Sequence, residues 1–246
     1  MGARRMKPNA GLCLTELMIA MTAGAVVLSA MLQALQHFDR RLAAQQTTMA
    51  RHQDLRIGLR ILEAELRLAG TGTGQAGTAV LSAQVEEVTF LANLAGLTTN
   101  LIEAAVPGQQ ELKVQDGTGW SKGKQIVVCG ISLCEEHRLA RDGRRGTLTL
   151  TEPVGAAFLL GSSISVVNRV RYYLGRDGRS VPALMRQVDG GANPLIGDVA
   201  SFRLRYLDRV GRPVQDPALV ARIGIELAVG DRRRVVTSEV GLRAMS

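Results

Sequence analysis

Gly11-Leu12-Cys13-Leu14-Thr15-Glu16-Leu17, with the apolar run that follows it to Leu35, decides how this chain is read. Ahead of it stand Arg4, Arg5 and Lys7 without an acid, and from Leu17 to Gln36 there is no formally charged residue. A basic flank followed by a membrane-length apolar run is a targeting and anchoring pattern. As a helix rising about 1.5 Å per residue, the run spans a hydrocarbon core of about 30 Å. One carboxylate, Glu16, stands near its start, where facing lipid costs on the order of a few kcal/mol. That acid asks for a partner.

The processing signals narrow the choice. An ordinary secretory signal is cut after its apolar segment, next to small residues, whereas here a glycine precedes the run. A lipoprotein reading of Cys13 fails because Leu12 stands directly before it and no apolar segment lies upstream. Any processing is therefore expected ahead of the membrane helix.

With 246 residues, 46% hydrophobic content and 27 glycines, the chain has room for one membrane segment and one compact domain. The formal net charge of +8 includes the leader's three cations, so the remainder is only mildly basic. His37, His52 and His137 show no ligand spacing, and an aromatic content of 3% provides no base-stacking platform. No cofactor is expected. No nucleophile elbow, phosphate loop, His-Glu-x-x-His or dinucleotide fingerprint occurs, and the Gly72, Gly74 and Gly77 spacing follows a helix rather than a strand. The chain reads as a non-enzyme.

Past Leu35 the apolar pattern thins but keeps helical spacing, and there is no proline from Gly11 to Gly70. One helix is expected from about Leu12 to about Ala69, near 85–90 Å if continuous. Its outer part sets Leu55, Leu59, Leu62 and Leu66 on one face, expected as core, with Arg56, Arg60, Glu63 and Arg67 on the other. Four glycines within 70–77 then stop it.

From Val80 the texture becomes β-rich. Strands are expected at Glu86–Leu91, Glu111–Val114, Gln125–Cys129, Glu135–Leu139, Thr147–Leu150, Ser163–Asn168 running on through Arg171–Leu174, Ala183–Gln187, Ser201–Leu207, Ala221–Val229 and Arg233–Leu242. Asp116-Gly117, Asp142-Gly143 and Asp177-Gly178 are expected as tight reversals with positive φ. The fold class is α+β, an antiparallel β domain covered by the outer helix. Cys129 and Cys134 are placed to close a small loop at a hairpin tip if the domain lies outside the cytoplasm; the alternative is two unpaired strand thiols.

The first motif resembles the prepilin cleavage and methylation motif of type IV pilins and type II secretion pseudopilins. The resemblance implies that a prepilin peptidase cuts after Gly11, that Leu12 becomes the N-methylated first residue, and that Glu16 is the fifth-position glutamate used in docking and assembly. Leu12 stands where phenylalanine is usual, Cys13 where a hydroxyl residue is, and Thr15 where an aliphatic residue is. A second resemblance lies in Leu55–Gly70, Val170-Arg-Tyr-Tyr-Leu174, Asp177-Gly178, Leu184-Met-Arg186 and Leu195–Asp208, which are similar to W-type minor pilins and J-type minor pseudopilins.

The domain plan this implies is a leader at 1–11, a transmembrane or fibre-core helix at 12–36, its amphipathic continuation at 37–69, a glycine-rich connection at 70–79 and a β domain of pilin-like fold at 80–246. Implied partners are the prepilin peptidase, other minor and major pilins or pseudopilins, and an inner-membrane assembly platform. The chain would be a single-pass inner-membrane protein with a periplasmic β domain, then fibre-associated. A signal-anchored periplasmic binding domain that never polymerises is the alternative of another class. Arg203, Arg205, Arg209, Arg212 and Arg232–Arg234 would form a DNA-binding strip if their strands adjoin. Their alternation with Phe202, Leu204 and Tyr206 favours an ordinary solvated strand face instead.

Overall fold

A computed structural model describes residues 14–74, 79–230 and 234–242. The chain divides into two compact units, 1–53 and 54–246, and the division falls inside a helix. That helix, α1, runs Leu14–Arg67.

In the first unit, Glu16–Leu42 is long and apolar enough to cross a membrane, with a mean hydropathy of 1.9 and none of its most apolar window buried. Its hydroxyls do not need outside partners. Thr22 Oγ1 donates to the carbonyls of Met18 (3.1 Å) and Ile19 (2.9 Å), and Ser29 Oγ to that of Val26 (2.8 Å). Local bonding of this kind satisfies polar groups where water is absent.

In the second unit the last turns of α1 bury Leu55, Leu59, Leu62 and Leu66, the stripe expected as core. Gly58 sits on the same side because a strand crosses it closely. A Cβ there would overlap the Ile196 side chain and stand 3.4 Å from the Leu195 carbonyl. The helix ends as its spacing tightens: Leu68 N–H donates to Glu65 O and Ala69 N–H to Leu66 O, both at 3.0 Å. Thr71 Oγ1 donates to the Leu68 carbonyl at 2.7 Å. Gly70 then takes φ 82°, and its N–H donates to Leu91 O at 2.7 Å, handing the chain to the sheet.

Thirteen strands follow among the described residues: β1 Val80–Gln84, β2 Glu87–Ala92, β3 Thr98–Asn100, β4 Glu111–Lys113, β5 Gln125–Cys129, β6 Cys134–Arg138, β7 Thr147–Thr149, β8 Ser163–Arg176, β9 Pro182–Val188, β10 Gly191–Gly197, β11 Val199–Leu207, β12 Arg222–Val229 and β13 Arg234–Gly241. Every pairing among the described residues is antiparallel. The organising strand is β8, 14 residues long. Its first half pairs with β5 on one side and β3 on the other, and its second half pairs with β2 and β9. β11, β12 and β13 make a separate sheet, and β4 and β7 a short ladder.

Because β8 is shared, two cores form along it. One joins α1 to Phe90, Tyr172, Leu184, Phe202 and Ile225. The other gathers Leu112, Trp120, Ile126, Leu148 and Phe158 around the β4–β7 ladder. A third, small cluster of Leu91, Val127 and Val167 lies against Cys129 and Cys134.

The reversals depart from expectation at their glycines. Gly117, Gly143 and Gly178 are not left-handed, and the positive φ falls on Gly119, Gly146 and Ser180. At two of these sites the aspartate itself shapes the turn: Asp116 Oδ1 accepts from Thr118 N (2.9 Å), and Asp177 Oδ1 from Arg179 N and Val181 N (both 2.8 Å). Gly117 is needed for closeness instead, since a Cβ there would come 2.7 Å from the Arg144 carbonyl.

Candidate functional site

The residues assigned to processing, Gly11 and Leu12, lie outside the described residues. Glu16 is described, in the first turn of α1, and its side chain is exposed among exposed Leu14, Leu17, Ile19 and the apolar residues beyond. A carboxylate there is favoured by the N-terminal end of the helix. Among the described residues it forms no ion pair, and the run from Leu17 to Gln36 offers no cation.

Cys129 and Cys134 are joined by a disulfide, with Cα atoms 4.1 Å apart, at the tip of the β5–β6 hairpin. Of the two alternatives the sequence leaves open, the cross-link is therefore the one the structure has. Gly74, at φ 70°, lies directly over the sulfur atoms; a Cβ there would collide with both Sγ atoms. The chain at Gly74 thus passes across the cross-link, and glycine is what permits that approach.

The sequence reading missed a buried polar cluster under the helix. Glu65 of α1 is 9% exposed and receives the Arg186 guanidinium in a fork, with Nε at 3.0 and 2.9 Å and Nη2 at 2.5 Å. The fully buried Tyr172 hydroxyl donates to Glu65 Oε2 at 2.5 Å. Three elements, α1, β8 and β9, are thereby tied at one point. The hydrogen bond it donates to Glu65 pushes the Arg186 guanidinium up. Burial first, then the hydrogen bond to Glu65, push the Tyr172 phenol far above its ordinary value, so it remains a donor. A signal was available: Glu65 follows Leu62 by three positions on the buried stripe, where a carboxylate needs a cation.

A neighbouring pair is looser. Arg171 donates to Glu87 at 2.6 Å and lies 4.4 Å from the centre of the Tyr173 ring, while its Nε is buried without a hydrogen-bond partner. At the β9–β10 turn, Asp189 accepts from Asn168 Nδ2 (2.7 Å), Arg169 N (3.0 Å) and Lys124 Nζ (3.1 Å). Burial alone would raise its carboxyl, but these donors hold it below the usual value. Tyr206 Oη lies between the carbonyls of Gln84 (2.7 Å) and Glu87 (2.9 Å), securing the β1–β2 turn.

Two of the arginines weighed as a nucleic-acid strip stand beside acids: Arg203 lies opposite Glu226, and Arg212 is held by Asp208 at 2.9 Å, whereas Arg205 lies opposite Gly224. Arg232 and Arg233 lie outside the described residues. Among the described residues no group of three His, Cys, Asp or Glu side chains is placed to hold a metal ion.

The described residues thus comprise an apolar helical segment headed by Glu16, and a β unit to which the last turns of α1 are fastened by leucines and an ion cluster. No protein-family model matches the chain, and no curated protein matches its sequence.

Proposed function

We propose that the chain is a substrate of a prepilin peptidase and acts structurally, as a minor pilin in the initiation, tip formation or assembly of a type IV pilus. The observation that carries this reading is Glu16: a single acid at the fifth position after Gly11, at the head of a run from Leu17 to Gln36 without charge. Cleavage after Gly11 creates an amino terminus at Leu12. In a fibre, Glu16 of one subunit neutralises that terminus on its neighbour, and each charge offsets the other's desolvation. An independent anchor gains nothing from such an acid, which argues against a signal-anchored domain that never polymerises. The exposed apolar helix supports storage in the bilayer and later packing against other helices. The disulfide supports an oxidising location for the β unit, on the periplasmic side.

Within this reading the leader is removed by the peptidase, the inner-membrane platform lifts the subunit, and the β unit contacts other pilins. A J-type minor pseudopilin of a type II secretion system shares the same logic, and segments 170–174, 184–186 and 195–208 resemble both. Glu16→Ala separates processing from assembly. The variant is expected to be cleaved normally yet enter fibres poorly, and normal incorporation would remove the charge-pairing argument.

A further inference from the structure

The chain leaving α1 is fastened to the strands it crosses. Gly70 N–H donates to Leu91 O at 2.7 Å, and Asn93 N–H donates to Thr71 O at 3.0 Å and to Thr71 Oγ1 at 3.1 Å. The Thr71 hydroxyl donates in turn to the Leu68 carbonyl at 2.7 Å. Gly72 then passes close over β8, since a Cβ there would stand 3.1 Å from Asn93 Cβ and 3.2 Å from Ser165 Cβ. Two residues further on, Gly74 lies against both sulfur atoms of the disulfide, with no room for a Cβ. The two cysteines also pack against buried Leu91, Val127 and Val167.

Thiol–disulfide exchange requires a thiolate to reach one of the two sulfurs. It attacks that Sγ, the S–S bond breaks, and the electron pair leaves on the other Sγ, which takes a proton. When the attacking group belongs to a dithiol, its second thiol then displaces the first cysteine. The dithiol ends as a disulfide, and two electrons and two protons have passed to Cys129 and Cys134. Formation of the bond is the reverse, with a partner's disulfide as the oxidant. Backbone lying against both sulfurs obstructs access in either direction.

We propose that residues 70–74 form a strap that gates the Cys129–Cys134 disulfide: exchange with a dithiol, or with a partner's disulfide, takes place while the strap is lifted, and seating the strap seals the bond. The strap is suited to opening on its own. It carries three left-handed glycines, Gly70, Gly72 and Gly74, and is held by single hydrogen bonds rather than by a strand ladder. Because it continues directly from the last turn of α1, the bond is sealed once the end of the helix is in place on the sheet. This inference concerns the β unit alone and stands whether or not the chain polymerises.

The test follows reduction of the folded, detergent-solubilised full chain by dithiothreitol, with thiols trapped by iodoacetamide and counted by intact mass; Cys13 contributes one adduct throughout. Gly74→Ala is expected to speed reduction about tenfold, because the strain of a left-handed alanine is relieved when the strap lifts. Thr71→Val removes the strap's side-chain hydrogen bonds, leaves Gly74 as it is, and is expected to speed reduction about fivefold. Gly190→Ala is the control: it puts left-handed strain (φ 98°) into the β9–β10 turn, where the added methyl meets no described residue within 4 Å beyond its chain neighbours. It is expected to be reduced at the parent's rate, as a bond reached through global unfolding would not be. Parent-like reduction of either strap variant, or acceleration by Gly190→Ala equal to theirs, overturns the proposal.

Discussion

Replacing Glu65 by leucine tests how the β unit holds the helix. The substitution keeps the apolar stripe of α1 but strips two partners at once. The buried Tyr172 hydroxyl loses its acceptor, which costs about 1–3 kcal/mol. The Arg186 guanidinium loses its counter-ion, and breaking a fully buried pair from one side costs about 3–5 kcal/mol. Because the Arg186 side chain is 30% exposed, water recovers part of that, and the net loss is expected near 3 kcal/mol. The chain's single tryptophan, Trp120, is 2% exposed in the second core and reports unfolding by fluorescence. Urea titration of the detergent-solubilised chain should show the midpoint of Glu65→Leu falling with little change in slope. The triple variant Glu65→Leu/Arg186→Met/Tyr172→Phe should recover most of the loss, since an apolar replacement of the whole cluster leaves nothing unpaired. A Glu65→Leu chain as stable as the parent would refute the cluster's role in fastening α1.

Gly58→Ala is expected to destabilise by about 1 kcal/mol, because crowding against Ile196 costs about 1–3 kcal/mol and outweighs the roughly 1 kcal/mol gained in helix propensity; adding Ile196→Ala should relieve the crowding, and urea midpoints of the single and double variants check both. Cys129→Ser/Cys134→Ser should lose about 2 kcal/mol for a loop this short, read from the same titration without reductant. Stability should fall in alkali: Tyr172 and Tyr206 have folded values raised chiefly by burial, so their contribution is whole below the unfolded phenol value of about 10 and is lost as pH rises beyond it. Tyr172→Phe/Tyr206→Phe should flatten that decline, as followed by circular dichroism between neutral pH and strong alkali.

The long helix and most strands were legible because their signals are local. The 3.6 spacing of Leu55, Leu59, Leu62 and Leu66 and the β-branched runs of β5 and β12 fix those elements without help from distant residues. Three strands were missed and lack such signals: β1 is Val-Leu-Ser-Ala-Gln without alternation, β3 is a three-residue Thr-Thr-Asn, and β10 carries Gly191, Asn193 and Pro194. Pro194 is tolerated because, among the described residues, β10 pairs only with β9, and the register shifts beside it. A clue to β10 was present in Asp189-Gly190, where both residues have positive φ (51° and 98°) and close a two-residue hairpin. The Glu65–Arg186–Tyr172 cluster joins residues more than 100 positions apart, so only the paired strands bring it together. Glu16 was legible for the opposite reason: it is conspicuous in sequence, and its partner is sought outside the subunit.

The central claim rests on where the chain is cut. Co-expression with a prepilin peptidase, followed by intact mass and N-terminal sequencing, is predicted to give a chain beginning at Leu12 with one methyl group on its amino terminus, and Gly11→Val is predicted to retain the leader and stay out of fibres. An unprocessed parent chain, a cut beyond the apolar run, or a Gly11 variant of unchanged mature mass and fibre incorporation would contradict it.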